Sequence, residues 1–153
     1  GGDKTLILAG QKSIMALIWV YEVTIPANTS KLNPYTRYLE IEGAWLHKVD
    51  IYFPPGCCNM VGVRLYYGIY QLLPRPYGAW LTGDNVNISV PINLRLPDLP
   101  TRLKLVAHSE GTGYSHTLTF RFYVLEKYTE HPYIAMSDLV ERLDVLLKRI
   151  GAW

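Results

Sequence analysis

Apolar and polar residues alternate along two neighbouring stretches in the middle of the chain. The first stretch runs from Trp45 to Phe53, and the second runs from Val61 to Tyr67. Two prolines and a glycine follow the first stretch, and prolines cannot donate the backbone hydrogen bonds of a sheet. Alternation with period two predicts strands that bury one face. The predicted buried faces are Trp45, Val49, Ile51 and Phe53 in the first strand, and Val61, Val63, Leu65 and Tyr67 in the second.

The same alternation recurs along most of the chain, separated by turns rich in Gly and Pro. It is clearest from Val86 to Leu96, where Pro91 lies inside the run and favours a sheet edge or a bulge. Seven to nine short strands of this kind are typical of an antiparallel β-sandwich. We therefore predict an all-β fold with a jelly-roll or Greek-key topology.

The two ends of the chain depart from this pattern. Residues 1–15 are interpreted as an N-terminal arm or an edge strand, and residues 16–127 as the sandwich. Residues 137–150 have helical spacing and predict an amphipathic helix. A helix this short is marginal by itself, so we expect it to dock on its own sandwich or on a neighbouring subunit. The stripe that would make this contact is Leu139, Leu143, Leu146 and Ile150.

The composition narrows the classes of partner. Of the 153 residues 49% are hydrophobic and 18% are charged, which is below the usual quarter. This surplus of apolar residues indicates either a well-packed β-protein or an assembly surface. The net charge is +2 and the basic residues are scattered, so we expect no nucleic-acid partner. Polar residues interrupt the apolar run at residues 6–25, so we expect no membrane span.

No catalytic or metal-binding motif is visible in the sequence. The four histidines lack metal-ligand spacing, and no nucleophile motif or phosphate-binding loop is present. The expectation is a protein that is not an enzyme and holds no cofactor or metal. Cys57 and Cys58 are adjacent, so a bond between them is disfavoured. They are either free or bridge two copies of the chain.

Aromatic residues in the loops are the remaining candidates for a site. Tyr77 and Trp80 are candidate interface residues together with the C-terminal stripe, because interfaces are enriched in Tyr and Trp. Alternatively, Tyr77, Trp80 and Tyr114 form a platform on which sugar rings stack. A third interpretation is that they cover the ends of the core.

Two segments carry a family resemblance. VDIYFPPGCCNMVGVRLYYGIYQLLP and GAWLTGD resemble small structural proteins of virus particles, namely the head decoration and jelly-roll coat proteins of tailed phages and archaeal viruses. The resemblance implies a homo-oligomer, often trimeric, that contacts other shell proteins in the virion. The alternative is an extracellular carbohydrate-binding module.

Overall fold

The computed structural model describes residues 2–9, 12–97 and 99–126, with side chains from Ala16 onward. This part of the chain is all-β and is arranged as two antiparallel sheets. The strands are β1 (Gly2–Ala9), β2 (Lys12–Ile25), β3 (Tyr35–Ile41), β4 (Trp45–Phe53), β5 (Gly62–Tyr67), β6 (Tyr70–Leu73), β7 (Leu81–Thr82), β8 (Val86–Arg95), β9 (Thr101–His108) and β10 (His116–Leu125).

Among the described strands, six of the nine connections pass from one sheet to the other. The first sheet has the order β1-β2-β10-β4-β8, and the second has the order β3-β9-β5-β6, with β7 paired to β5. One cluster of buried side chains contains residues from both sheets, so the sheets pack face to face over a common core. Its largest members include Phe53, Phe120 and Phe122, which are fully buried.

A bulge in β4 changes which residues reach the core. The register of β4 shifts between Leu46 and Lys48 against β8, and β10 shows a shift at the same place. Against β10, His47 is an extra residue, because the adjacent residues Tyr123 and Val124 pair with Lys48 and Leu46. It reverses the alternation of β4 on its N-terminal side. Leu46 is fully buried, whereas Trp45 is only half-buried. The prediction that Trp45 lies on the buried face was wrong for this reason.

Strand β8 forms one edge of the first sheet. It pairs only with β4 among the described strands, and Pro91 lies opposite Lys48 at the register shift. Pro91 predicted an edge or a bulge, and both are present among the described strands. Alternate residues of β8 face the core but stay half-buried: Ile88, Val90, Ile92 and Leu94.

The opposite edge of that sheet is β1, which pairs with β2 from Gly2↔Trp19 to Ala9↔Lys12. The predicted C-terminal helix at residues 137–150, with its stripe of Leu139, Leu143, Leu146 and Ile150, lies outside the described residues. Within those residues, no helix is long and apolar enough to cross a membrane.

Candidate interaction surfaces

Four connections meet at one end of the sandwich, which we call the loop end. They are residues 26–34 after β2, 54–61 after β4, 74–85 around β7, and 109–115 after β9. Backbone hydrogen bonds join them in pairs, as from Ser109 N to Thr29 O at 2.9 Å and from Asn59 N to Gly83 O at 3.2 Å. The loop end is therefore held together by contacts between segments far apart in sequence.

Polar side chains fasten the connection at 26–34 to the connection at 109–115. The Ser109 hydroxyl is fully buried, donates to Pro26 O and accepts from Thr29 N at 2.9 Å. The Thr112 hydroxyl accepts from Asn28 N at 3.0 Å, and Asn28 Oδ1 accepts from Gly111 N at 2.9 Å. Because each hydroxyl or amide satisfies a backbone group of the other segment, the two loops are ordered as one unit.

A carboxylate plays the same role on the other side of the loop end. Asp84 Oδ1 accepts from Gly56 N and from Cys58 N, both at 3.0 Å. This arrangement turns the Cys57 side chain into the core and leaves Cys58 exposed, and both thiols are free. Burial raises the pKa of the Cys57 thiol to about 11, with smaller contributions from Asp84 and Cys58.

His116 links the connection at 54–61 to the connection at 109–115. Its Nε2 lies 3.1 Å from Gly56 O, and its ring stacks on Tyr114 with centroids 4.5 Å apart. The His116 side chain is buried, whereas Tyr114 is 61% exposed. Tyr114 therefore covers the histidine with one face and leaves much of its ring at the surface of the loop end.

Trp80 packs against two other side chains of the sandwich, His108 and Arg64. Its ring meets the imidazole of His108 edge-on, with centroids 4.4 Å apart, and the guanidinium of Arg64 lies 3.7 Å from the centre of the ring. Arg64 also donates to the carbonyl oxygens of Ala79 and Gly78. Trp80 thus fastens the connection around β7 to the outer face of the second sheet.

The three predicted platform residues therefore occupy different environments. Trp80 is half-buried by the contacts just described, and Tyr114 stacks on His116. Tyr77 is 71% exposed and is the most accessible of the three. Tyr77 and Tyr114 remain available to a partner, whereas one face of the Trp80 ring is already covered by Arg64.

His108 is a buried residue whose role the sequence does not reveal. It is 4% exposed, and neither of its ring nitrogens has a hydrogen-bond partner among the described residues. Burial lowers its pKa; nearby Lys31 and Arg64 act in the same direction, and Glu110 acts against them. A histidine ending an alternating strand carries no signal of this burial, because the covering residue Trp80 comes from another part of the chain.

The end of the sandwich opposite the loop end carries a projecting ribbon, which we call the arm. The last pair between β10 and β2 is Leu125↔Ala16, and four further pairs between β1 and β2 continue from Leu6↔Met15 to Ala9↔Lys12. At the usual rise per residue the arm extends about 14 Å past β10. β2 is the only described strand that pairs with β1.

No protein-family model matches the sequence, and no curated protein matches it. Among solved structures, one similar to this chain is that of the Gt strain of infectious bursal disease virus, with 12% identity and a TM-score of 0.35 over 81% of this chain. Another is a mutant VP2 protein of the same virus in derived T=1 particles, with 11% identity and a TM-score of 0.37 over 81% of this chain.

The matched regions make up 38% and 36% of those two viral chains, so this chain spans little more than a third of their length. Similarities this low carry no argument about function. The chain is similar to parts of viral particle structures.

Proposed function

We propose that this chain is a non-enzymatic structural protein of a virus particle or a similar shell, where it acts through contacts with other copies of itself. The arm is the observation that carries this proposal. Its sequence is apolar throughout LILA in β1, and the facing residues KSIM of β2 add Ile14 and Met15 beside the polar Lys12 and Ser13. A two-stranded ribbon is marginally stable by itself in water, so an apolar one needs a partner surface.

The strand order supports the proposal. Without β1 and β7, the strand orders of the two sheets are β2-β10-β4-β8 and β3-β9-β5-β6. The chain passes from one sheet to the other after each of these strands except β5. We infer that this is the jelly-roll arrangement of eight strands in two Greek keys. Jelly rolls occur in viral coat proteins, in lectins and in cupins. Because a fold does not fix a function, the arm is needed to choose among these classes.

The partner of the arm is a second copy of the chain. The arm is the outer part of a continuous antiparallel ladder with β2, which is itself paired to β10 from Ala16 to Ile25. These pairs carry the arm past the end of β10, where a second copy of the chain can reach it. A contact made by an arm of one copy on a different surface of the next is heterologous, and contacts of this type form a ring when the rotation between copies closes and an open filament when it does not. A trimer is the smallest such ring.

Light scattering coupled to size-exclusion chromatography tests the proposal on the full chain. We expect an oligomer of three or more chains over a range of protein concentrations. Replacing Leu6 and Leu8 by Thr keeps a high strand propensity but removes apolar surface, so this variant is expected to dissociate. Its circular dichroism spectrum should stay unchanged, because the replaced residues pair with β2 beyond the last pair between β10 and β2.

A matched control replaces Thr117 and Thr119 by Ser, which changes exposed and half-buried positions of β10 at a distance from the arm. This variant should remain oligomeric. A full-length chain that stays monomeric at all concentrations would overturn the proposal, as would a Leu6→Thr, Leu8→Thr variant that keeps its oligomeric state.

The exposure of Tyr77 and Tyr114 favours one other candidate function, a carbohydrate-binding module. Aromatic rings at the surface of a rigid loop end can stack on sugar rings. A glycan array tests this candidate, with a Tyr77→Ala, Tyr114→Ala variant as the control. Binding that the variant loses would favour the module, and a chain that binds no glycan would remove it.

A further inference from the structure

The connection around β7 is fastened to the outer face of the second sheet in two ways. Residues 78 and 79 are held by hydrogen bonds: the buried Gln71 accepts from Gly78 N at 3.0 Å, and Arg64 donates to Ala79 O at 3.0 Å. Glutamine and arginine side chains keep their protonation state between pH 5 and 8, so these bonds do not respond to mild acid. Residues 80–82 are held differently, by packing on a histidine.

The contacts that hold residues 80–82 are few. Among the described residues, β7 forms two ladder pairs, both with β5. The ring of Trp80 contacts the guanidinium of Arg64 at 3.7 Å and meets the imidazole of His108 edge-on, with centroids 4.4 Å apart. Of these two side chains, only His108 changes its charge between pH 5 and 8. Because two ladder pairs give little local stability, the contact between Trp80 and His108 controls whether this segment stays on the sheet.

The surroundings of His108 suit only the neutral imidazole. It is 4% exposed, and neither ring nitrogen has a hydrogen-bond partner within the described part of the chain. A protonated imidazole donates from both nitrogens, so protonation would leave two buried donors unsatisfied. The charged groups that face it are Arg64 of β5, Lys31 after β2 and Glu110 after β9, and the connection around β7 faces it with the uncharged Trp80. Two of these three charges are positive, so they also oppose a cation at the ring.

We propose that residues 80–82 form a pH-operated latch, which protonation of His108 opens while the sandwich stays folded. Once the segment leaves the sheet, both nitrogens of His108 reach water and the charged form is no longer penalised. Trp80, a candidate interface residue that is half-buried in the closed state, then becomes available to a partner. This proposal concerns a single chain, so it does not depend on the oligomeric function proposed above.

Proton linkage sets the size of the effect. Burial lowers the pKa of His108 in the closed state, whereas the exposed imidazole of the open state keeps the ordinary value of 6.5. The open state therefore binds a proton first as the pH falls. Below pH 6.5 the ratio of open to closed molecules rises by at most about tenfold per pH unit, and the upper limit between pH 7.5 and 5 is about thirtyfold.

Hydrogen exchange followed by mass spectrometry tests the latch in the full chain. Opening constants are taken from exchange rates at pH 7.5 and 5, after correction for the intrinsic pH dependence of amide exchange. We expect residues 80–82 to open at least about fivefold more at pH 5, and a peptide from the middle of β10 to keep its protection. His108→Phe should lose this pH dependence, because phenylalanine keeps a ring against Trp80 and does not titrate.

The pH profile of the wild-type chain gives a second test, which needs no substitution at His108. The opening constant of residues 80–82 should be flat above pH 7 and should rise below pH 6.5 with the slope of a single proton. His47→Gln is the matched control, since His47 is exposed and lies in β4 of the other sheet. Its profile should equal that of the wild-type chain.

Three results would overturn the inference. The first is an opening constant that stays the same between pH 7.5 and 5, or that rises only where carboxylates titrate. The second is a folded His108→Phe chain that keeps the pH dependence of the wild type. The third is an equal rise in exchange of the peptide from β10, which would show unfolding of the whole sandwich instead of a local opening.

Discussion

The imidazole of His108 packs between a glycine and a tryptophan on the outer face of the second sheet. Gly62 lies directly opposite His108 in the ladder between β5 and β9, and Trp80 covers the ring. A Cβ atom at Gly62 would overlap Nε2 of the histidine and would lie 2.8 Å from Cδ2. The absence of a side chain at Gly62 is therefore what lets the histidine lie against the sheet.

This packing predicts that the cost of one substitution depends on another. Gly62→Ala should destabilise the protein by about 1–3 kcal/mol, because overpacking forces the ring and Trp80 to move. In a chain that carries His108→Ala the same change should cost much less, because the overlapping imidazole is gone and only the Cβ atom of Trp80, at 3.1 Å, stays close. Urea unfolding of the four proteins of this cycle measures the coupling. Equal costs of Gly62→Ala in both backgrounds would refute the contact.

His108 also predicts how stability depends on pH. Burial lowers its pKa in the folded state below the ordinary value of 6.5, so the unfolded state takes up a proton first as the pH falls. The neutral form thus contributes fully to stability above pH 6.5, and stability is lost as the pH falls below that value. A His108→Phe variant removes this loss. The difference in unfolding free energy between the variant and the wild-type chain should change by at most about 1.4 kcal/mol per pH unit.

The sign of this pH dependence can be checked with the unfolding free energies of the wild-type chain and of His108→Phe. These are measured between pH 7.5 and 5 in equal steps. The carboxylates titrate in both proteins, so the difference between the two curves isolates His108. Curves that stay parallel over this range would show that His108 is not held neutral by its surroundings.

The adjacent cysteines are expected to react very differently. Cys57 is fully buried and its pKa is raised to about 11, so its reactive thiolate is scarce at neutral pH, whereas Cys58 is exposed. A thiol reagent at pH 7.5 should label one group per folded chain and two per unfolded chain. Cys58→Ser should abolish the rapid labelling, and Cys57→Ser should leave it. Two thiols reacting at similar rates in the folded protein would contradict this arrangement.

The connections of the loop end are elements in their own right, because polar side chains tie them to one another. The connection at 26–34 binds the connection at 109–115 through Ser109 and Thr112, and the connection at 54–61 binds the one around β7 through Asp84. Turn composition predicted that these segments were loops. It could not predict which loops meet, because that follows from the order of the strands that they join.

At the scale of these elements, Ser109→Ala should cost about 1–3 kcal/mol, because it leaves buried backbone partners in the connection at 26–34 unsatisfied. Ser115→Ala is the matched control, since Ser115 is exposed in the same connection and should change stability by less than about 0.5 kcal/mol. Thermal and urea unfolding of the two variants give the comparison. Similar stability of Ser109→Ala and the wild-type chain would show that the Ser109 hydroxyl does not hold the two connections together.

Across the whole molecule, the core is continuous from one sheet to the other, while the surfaces proposed for contacts lie outside it. The arm projects at the end of the sandwich opposite the loop end, and a groove lies along the side of β6 and β8.

Local alternation of side chains was enough to predict the all-β class and the two-sheet packing, because the side-chain period of a strand is a property of the backbone. Pro91 added the prediction of an edge or a bulge, because it cannot donate to a ladder. Tertiary structure alone decided which strands pair, since every strand offers the same hydrogen-bonding groups to any neighbour. It also decided that a bulge at His47 moves Leu46 into the core in place of Trp45, and that Trp80 binds Arg64 and His108. These outcomes depend on partners distant in sequence, which no local pattern records.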